Sequence, residues 1–115
     1  MMRRGDVVRV DFDPTRGNDV AKTRPAVVVS NDGANRRALE LGRGVVTVVP
    51  VTSNIARVFP FQVLLEQVPG LRVASKARAE QVRSVSIERV GRVLGHLPAA
   101  VVDDLNRALR LHLGL

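Results

Sequence analysis

At 115 residues, 45% of them apolar, the chain is long enough for one compact core and too short for two, and no apolar run reaches membrane-spanning length. It has no cysteine and only His96 and His112, which excludes disulfides, thiol catalysis and the usual zinc ligand sets. The 18 Lys and Arg against 11 Asp and Glu give +7, and because Lys22 and Lys76 are the only lysines the positive charge is almost wholly guanidinium. Such an excess fits a polyanionic partner, either nucleic acid or an acidic protein segment, or else a surface solubilised by arginine. With Phe12, Phe59 and Phe61 as the only aromatics, a face built from several base-stacking platforms is disfavoured. The Met-Met-Arg-Arg start runs into Gly5-Asp6 and not into an apolar segment, so no signal peptide is expected and the chain reads as cytoplasmic.

Asp6 to Phe12 alternates as a first strand, with Val8, Val10 and Phe12 on one face, and Asp13-Pro14 ends it. From Thr15 to Thr23 there is no apolar pattern, and Gly17, Asn18 and Asp19 mark a polar loop. It leads into Arg24-Pro25-Ala26-Val27-Val28-Val29-Ser30-Asn31-Asp32. Pro25 has no N–H to donate and suits the first residue of a strand, so a buried strand is expected from there until Ser-Asn-Asp stops it. Arg24 is then held at the strand's mouth, either as a fork for a phosphate or as an ordinary surface cation. Residues 33 to 44 are bounded by glycines, and only a short turn over Asn35 to Leu39 is expected there.

Val45 to Thr52 is a run of β-branched residues that fits a central strand buried on both faces, ending or bulging near Pro50. Thr52 and Ser53 are hydroxyls at that strand's rim, where such residues commonly satisfy turn backbone. A strand follows Pro60, with Phe61, Val63 and Leu65 opposite Gln62 and Leu64. After the Pro69-Gly70 turn, Ala79 to Val85 alternates in a polar key, so Gln81 and Arg83 project toward a ligand or toward water. Ser86 to Arg89 reads as a single turn, Val90 to Leu94 as a last strand ended by Gly95, and the tail from Pro98 as the one clear helix, with His112 on its apolar stripe. Both histidines read as structural. Six or so short strands and a terminal helix describe a mainly β, strongly bent small antiparallel barrel with a capping helix.

Arg4-Gly5-Asp6-Val7, Asp13-Pro14 then Gly17, Arg24-Pro25 through Asp32, Pro50-Val51-Thr52-Ser53, Pro60-Phe61 and Glu80-Gln81-Val82-Arg83 resemble, in order and approximate spacing, the landmarks of the MazF/PemK family. The resemblance covers nearly the whole chain. It implies an SH3-like antiparallel barrel with a C-terminal helix, of the MazF/CcdB kind, forming a homodimer. It also implies a type II toxin that cleaves single-stranded RNA at short motifs without a metal or other cofactor, and that an acidic antitoxin inhibits. Carried over by position, the catalytic arginine falls on Arg24 and the catalytic threonine on Thr52, with Arg4, Asn18, Asp19, Ser53 and Gln81 as RNA contacts. Family members usually carry Gly-Ser-Glu where this chain has Gly17-Asn18-Asp19, so a role assigned to that Glu passes to Asp19 with a shorter reach. A gyrase-poisoning toxin on the same fold, as in the related CcdB proteins, and an RNA-binding relic without cleavage are the alternatives.

Overall fold

The computed structural model describes residues 2–12 and 23–115. Strand β1 is Asp6–Asp11, β2 Thr23–Val28, β3 Val45–Thr52, β4 Gln62–Leu65, β5 Ser75–Arg78, β6 Arg83–Ser86 and β7 Val90–His96; helix α1 is Asp32–Leu41 and α2 Ala99–Leu113. The antiparallel sheet runs β4-β5-β3-β2-β1-β7, with β6 also paired to β3. It is curled but not closed by hydrogen bonds between β4 and β7, so the expected barrel is an open one.

β3 is the centre, as its β-branched composition predicts. One edge pairs with β2, while the other carries β6 against Val45 to Val48 and β5 against Val51 and Thr52. Pro50 falls between those two partners, so the donor it lacks coincides with the change of neighbour, and the strand runs on to Thr52 without ending at the proline. Side-chain alternation then divides the interior into two cores. Val7, Val27, Val49 and Val51 pack with Val63, Leu65, Ala77 and the α2 residues Leu105 and Ala108. On the other face Val8, Val10, Ala26, Val28, Val46 and Val48 pack with Ala38 of α1, Val85 and Ile87, and Phe12 joins that cluster as its alternation predicts.

Several expectations are corrected. α1 replaces the short turn expected at Asn35 to Leu39. The Asn31 side chain caps it by accepting from the Ala34 N–H at 2.8 Å, and Gly42 closes it in the left-handed region. Buried Asn35 donates to the Ser30 carbonyl at 2.9 Å, while the Ser30 hydroxyl accepts from the Thr47 N–H at 3.0 Å, tying the helix to β3. Ser-Asn-Asp is therefore a helix start as well as a strand stop. β2 begins two residues before Pro25, because its partner β1 extends that far. Ala79 to Val85 is not one strand: a 3₁₀ turn at Ala79–Gln81 separates β5, which the sequence pattern did not reveal, from β6. β7 continues through Gly95, and Pro98 is the N-cap of α2 and not its first residue. The single turn after Ser86 is present as a 3₁₀ turn at Ile87–Arg89.

Candidate active site

The mouths of β2 and β3 open into one cavity of about 480 Å³. Its lining residues Val51, Leu71 and Leu94 belong to or pack against the core that holds Leu105 and Ala108 of α2. Pro25, Val51, Leu71, Val73 and Leu94 supply its apolar lining, and the polar lining is Arg9, Arg24, Arg72, Arg92, Thr52 and Ser53 with Ser75. No carboxylate lines it among the described residues. Arg9 stands opposite Pro25 in the β1–β2 ladder and Arg24 opposite Val10, so the two arginines lie one step apart on adjacent strands and on alternate faces of the sheet, and both border the cavity.

The opposite wall depends on two glycines. Gly70, at φ +94°, lies so close to β7 that a Cβ there would stand 2.4 Å from the Leu94 carbonyl oxygen. A Cβ on Gly95 would stand 2.0 Å from the Pro69 carbonyl oxygen. The 69–73 loop therefore lies on β7 only because both positions lack side chains, and that contact holds Arg72 at the cavity.

Arg24 is exposed, and among the described residues its side chain makes only a long 3.3 Å bond, from Nη1 to the neighbouring Thr23 carbonyl. Thr52 Oγ1 accepts from the Asn54 N–H at 3.2 Å. The hydroxyl thus satisfies a turn, the ordinary fate for its position, and still has its own proton to donate into the cavity. The segment after it is anchored by Lys76, whose Nζ donates to the Arg57 carbonyl at 2.6 Å, and by Phe59 and Phe61 stacked at 5.3 Å.

Gln81 faces a second cavity of about 240 Å³, lined by Phe12, Arg24, Pro50, Arg78, Gln81 and Arg83, so Arg24 borders both. Gln81 sits on the 3₁₀ turn and not on a strand. Buried Gln62 fixes that turn: its Oε1 accepts from the Phe59 N–H at 3.1 Å and its Nε2 donates to Glu80 Oε2 at 2.8 Å.

The structure brings Arg24, Thr52 and Ser53 to one cavity, places Gln81 in the second one that Arg24 also borders, and puts Arg4 elsewhere. The Arg4 N–H donates to Asp32 Oδ1 at 2.6 Å, its Nε to the Val29 carbonyl at 2.9 Å and its Nη2 to Asn106 Oδ1 at 2.8 Å, linking the N-terminal turn to both helices. Asn18 and Asp19 lie outside the described residues. His96 Nδ1 is 2.6 Å from Oδ1 of buried Asp6, in keeping with a structural role, whereas His112 is exposed and not on a buried stripe. Arg9, Arg72, Arg78 and Arg92 were not among the expected site residues. Arg9 alone carried a signal, as the one charge inside Val-Val-Arg-Val.

A curled antiparallel sheet that gathers guanidiniums and hydroxyls at its strand mouths, with no carboxylate among the described lining residues, defines a small β protein with a cationic cleft. The chain belongs to the family described as PemK-like, MazF-like toxin of type II toxin-antitoxin system, whose profile matches residues 3–113. It is 59% identical over 116 residues to the endoribonuclease MazF9 of Mycobacterium tuberculosis, covering 100% of this chain and 98% of the relative. Among solved structures, an endoribonuclease in complex with its cognate antitoxin from a mycobacterial species superposes with a TM-score of 0.79 at 26% identity, covering 100% of this chain and 97% of that one. MazF from Deinococcus radiodurans superposes with a TM-score of 0.78 at 28% identity, covering 99% and 97%. The family resemblance and its fold are thereby borne out.

Proposed function

We propose that the chain is the toxin of a type II toxin-antitoxin pair and a sequence-specific endoribonuclease that cleaves single-stranded mRNA without a metal. The observation that carries this reading is the convergence of Arg24 and Thr52 on one cationic cavity free of carboxylates among its described lining residues. That environment suits a phosphodiester whose own 2′-hydroxyl is the nucleophile. The 2′-oxygen bonds to phosphorus, the 5′-oxygen departs, and the products are a 2′,3′-cyclic phosphate and a 5′-hydroxyl. Negative charge builds on the non-bridging oxygens as this happens. A guanidinium fork at Arg24 and the Thr52 hydroxyl, placed beforehand, stabilise that charge without reorganising. The nucleophile must lose a proton and the leaving oxygen must gain one. A guanidinium parts with a proton reluctantly, so charge stabilisation is the principal role given to Arg24, and Asp19 occupies the sequence position where the family resemblance puts a candidate base. Arg4, Asn18, Ser53 and Gln81 remain proposed RNA contacts, with Arg4 the least central of the described ones because its donors are engaged within the chain.

Its partners on this reading are single-stranded RNA and an acidic antitoxin whose segment occupies the same basic cleft. The chain acts as a homodimer in the cytoplasm. No helix among the described residues is long and apolar enough to cross a membrane. The gyrase-poisoning alternative loses ground because the relatives named above are endoribonucleases.

The test is incubation of the purified protein with a long single-stranded RNA in EDTA. Defined fragments ending in cyclic phosphate are expected, absent with Arg24→Ala and strongly reduced with Thr52→Ala. A requirement for Mg²⁺, or unchanged cleavage without Arg24, would overturn the mechanism. Supercoiled DNA with gyrase, run in parallel, tests the alternative.

A further inference from the structure

Lys76 is the only lysine among the described residues, and at 9% exposure it is buried, whereas lysine ordinarily keeps its ammonium in water. No carboxylate pairs with it among the described residues. Its Nζ donates to the Arg57 carbonyl at 2.6 Å, and the Phe59 ring, which also carries the Arg57 guanidinium at 4.8 Å, lies 5.9 Å away. A methionine would fill the same space without desolvating a charge, so packing alone does not account for an ammonium there. The register of β5 gives the position its meaning. Lys76 stands opposite Thr52 on β3 and opposite Leu64 on β4, and directly opposed residues of antiparallel strands turn their side chains to the same face. The lysine is the middle of the row Thr52, Lys76, Leu64, and it reaches from beside Thr52 to the chain that leaves Thr52.

That chain has few other ties. Among the described residues, the bond from Lys76 is the one hydrogen bond that residues 54–58 receive from outside residues 52–62. Within the segment, the Asn54 N–H reaches Thr52 Oγ1 at 3.2 Å and the Ala56 N–H reaches Asn54 Oδ1 at 3.4 Å, both long and exposed. The first of these fixes the rotamer of Thr52, and with it the direction in which the hydroxyl offers its own proton. Lys76 lines neither the cavity that holds Thr52 nor the second one that Arg24 borders. Resting on the nuclease reading, we propose that Lys76 is a positioning residue for cleavage. Through the Arg57 carbonyl it holds the 54–58 segment, and the segment in turn holds the Thr52 hydroxyl toward the scissile phosphodiester. A charged donor suits that task, because its bond to a carbonyl is about twice as strong as one between neutral groups.

The experiment compares wild type with Lys76→Met and with Lys76→Gln, whose amide falls one bond short of the Arg57 carbonyl. On one defined single-stranded RNA, kcat should fall by about 10- to 100-fold in both variants while KM stays within about twofold. The urea midpoint should hold or rise, since the exposed Arg57 carbonyl regains water as its partner. In a Thr52→Val background Lys76→Met should cost no further activity, because the hydroxyl through which it acts is already gone. Backbone NMR relaxation should show the order parameters of residues 54–58 falling from about 0.85 to below about 0.6 in both variants. An unaltered kcat, an undiminished loss in the Thr52→Val background, or order parameters that do not move would each overturn the proposal. So would a raised KM with kcat intact, the mark of an RNA contact, or a failure of both variants to fold, the mark of a purely structural lysine. The relaxation measurement needs no catalysis, so a wild type that cleaves no RNA sinks the nuclease reading and still shows whether Lys76 holds the segment.

Discussion

At the residue scale, the site depends on what two side chains can still donate. Arg24 is held at a strand mouth with only the Thr23 carbonyl against its fork among the described residues, so Arg24→Lys, which keeps the charge and loses the planar pair of donors, should not rescue cleavage. A loss in kcat/KM of about 10²-fold or more is expected, comparable to deleting one preorganised donor. Thr52 separates similarly by chemistry. Thr52→Ser retains both the bond to the Asn54 N–H and the proton to donate, and should stay within about tenfold of wild type, whereas isosteric Thr52→Val should lose about 10²-fold. Single-turnover kinetics on one defined RNA would show whether the two substitutions part in this way. Gln62 acts at one remove, through the turn that carries Gln81. Gln62→Ala would leave Glu80 and the Phe59 N–H without their partner, at a stability cost of about 1–3 kcal/mol readable by urea denaturation.

Among the elements, α1 and the 69–73 loop are the most sensitive to single substitutions. Asn31→Ala removes the cap of α1 and should cost about 1 kcal/mol, with no change in RNA binding because the helix lies over the core opposite α2. Gly70→Ala is a different case. Its added Cβ meets β7 backbone at 2.4 Å in a left-handed conformation, so the loop must lift, carrying Arg72 away from the cavity. It should therefore lower both the midpoint of denaturation and RNA affinity, and a variant that changed only one of them would count against this account of the loop. The same local contacts explain what the sequence pattern hid. Gly33 and Gly42 look like helix breakers, yet Gly42 terminates α1 correctly, and the Asn31 cap with the buried Ser30–Asn35 link supplies the start that residues 33 to 44 lack in isolation. β5, only Ser75–Arg78, is too short and too polar to announce itself. It is a strand because β3 and β4 offer it two edges.

For the whole molecule, a net charge of +7 carried by guanidiniums and gathered partly at one cleft implies that RNA binding is strongly electrostatic. Raising salt from about 50 to 200 mM should weaken binding by at least tenfold, since every phosphate held releases counterions. Affinity nearly independent of salt would contradict this role for the cleft. Much of the fold was legible from the chain itself. Alternation marked β1, unbroken β-branched runs marked β2 and β3, the three- and four-residue spacing marked α2, and local motifs singled out Arg24, Thr52, Ser53 and Gln81, because strand mouths and turns are written in contiguous residues. Only the tertiary structure decided which of these face a common space. Arg4 reads as an equal partner of Gln81 in the family landmarks, yet its donors are spent on Val29 and Asn106, the latter 102 positions away. Arg9, Arg72 and Arg92 reach the cavity through the pairing of β1 with β2 and β7 and through a loop laid on β7 at two glycines, and no spacing along the chain encodes either. Alternation determines which face a side chain takes, whereas pairing between distant segments determines what that face meets.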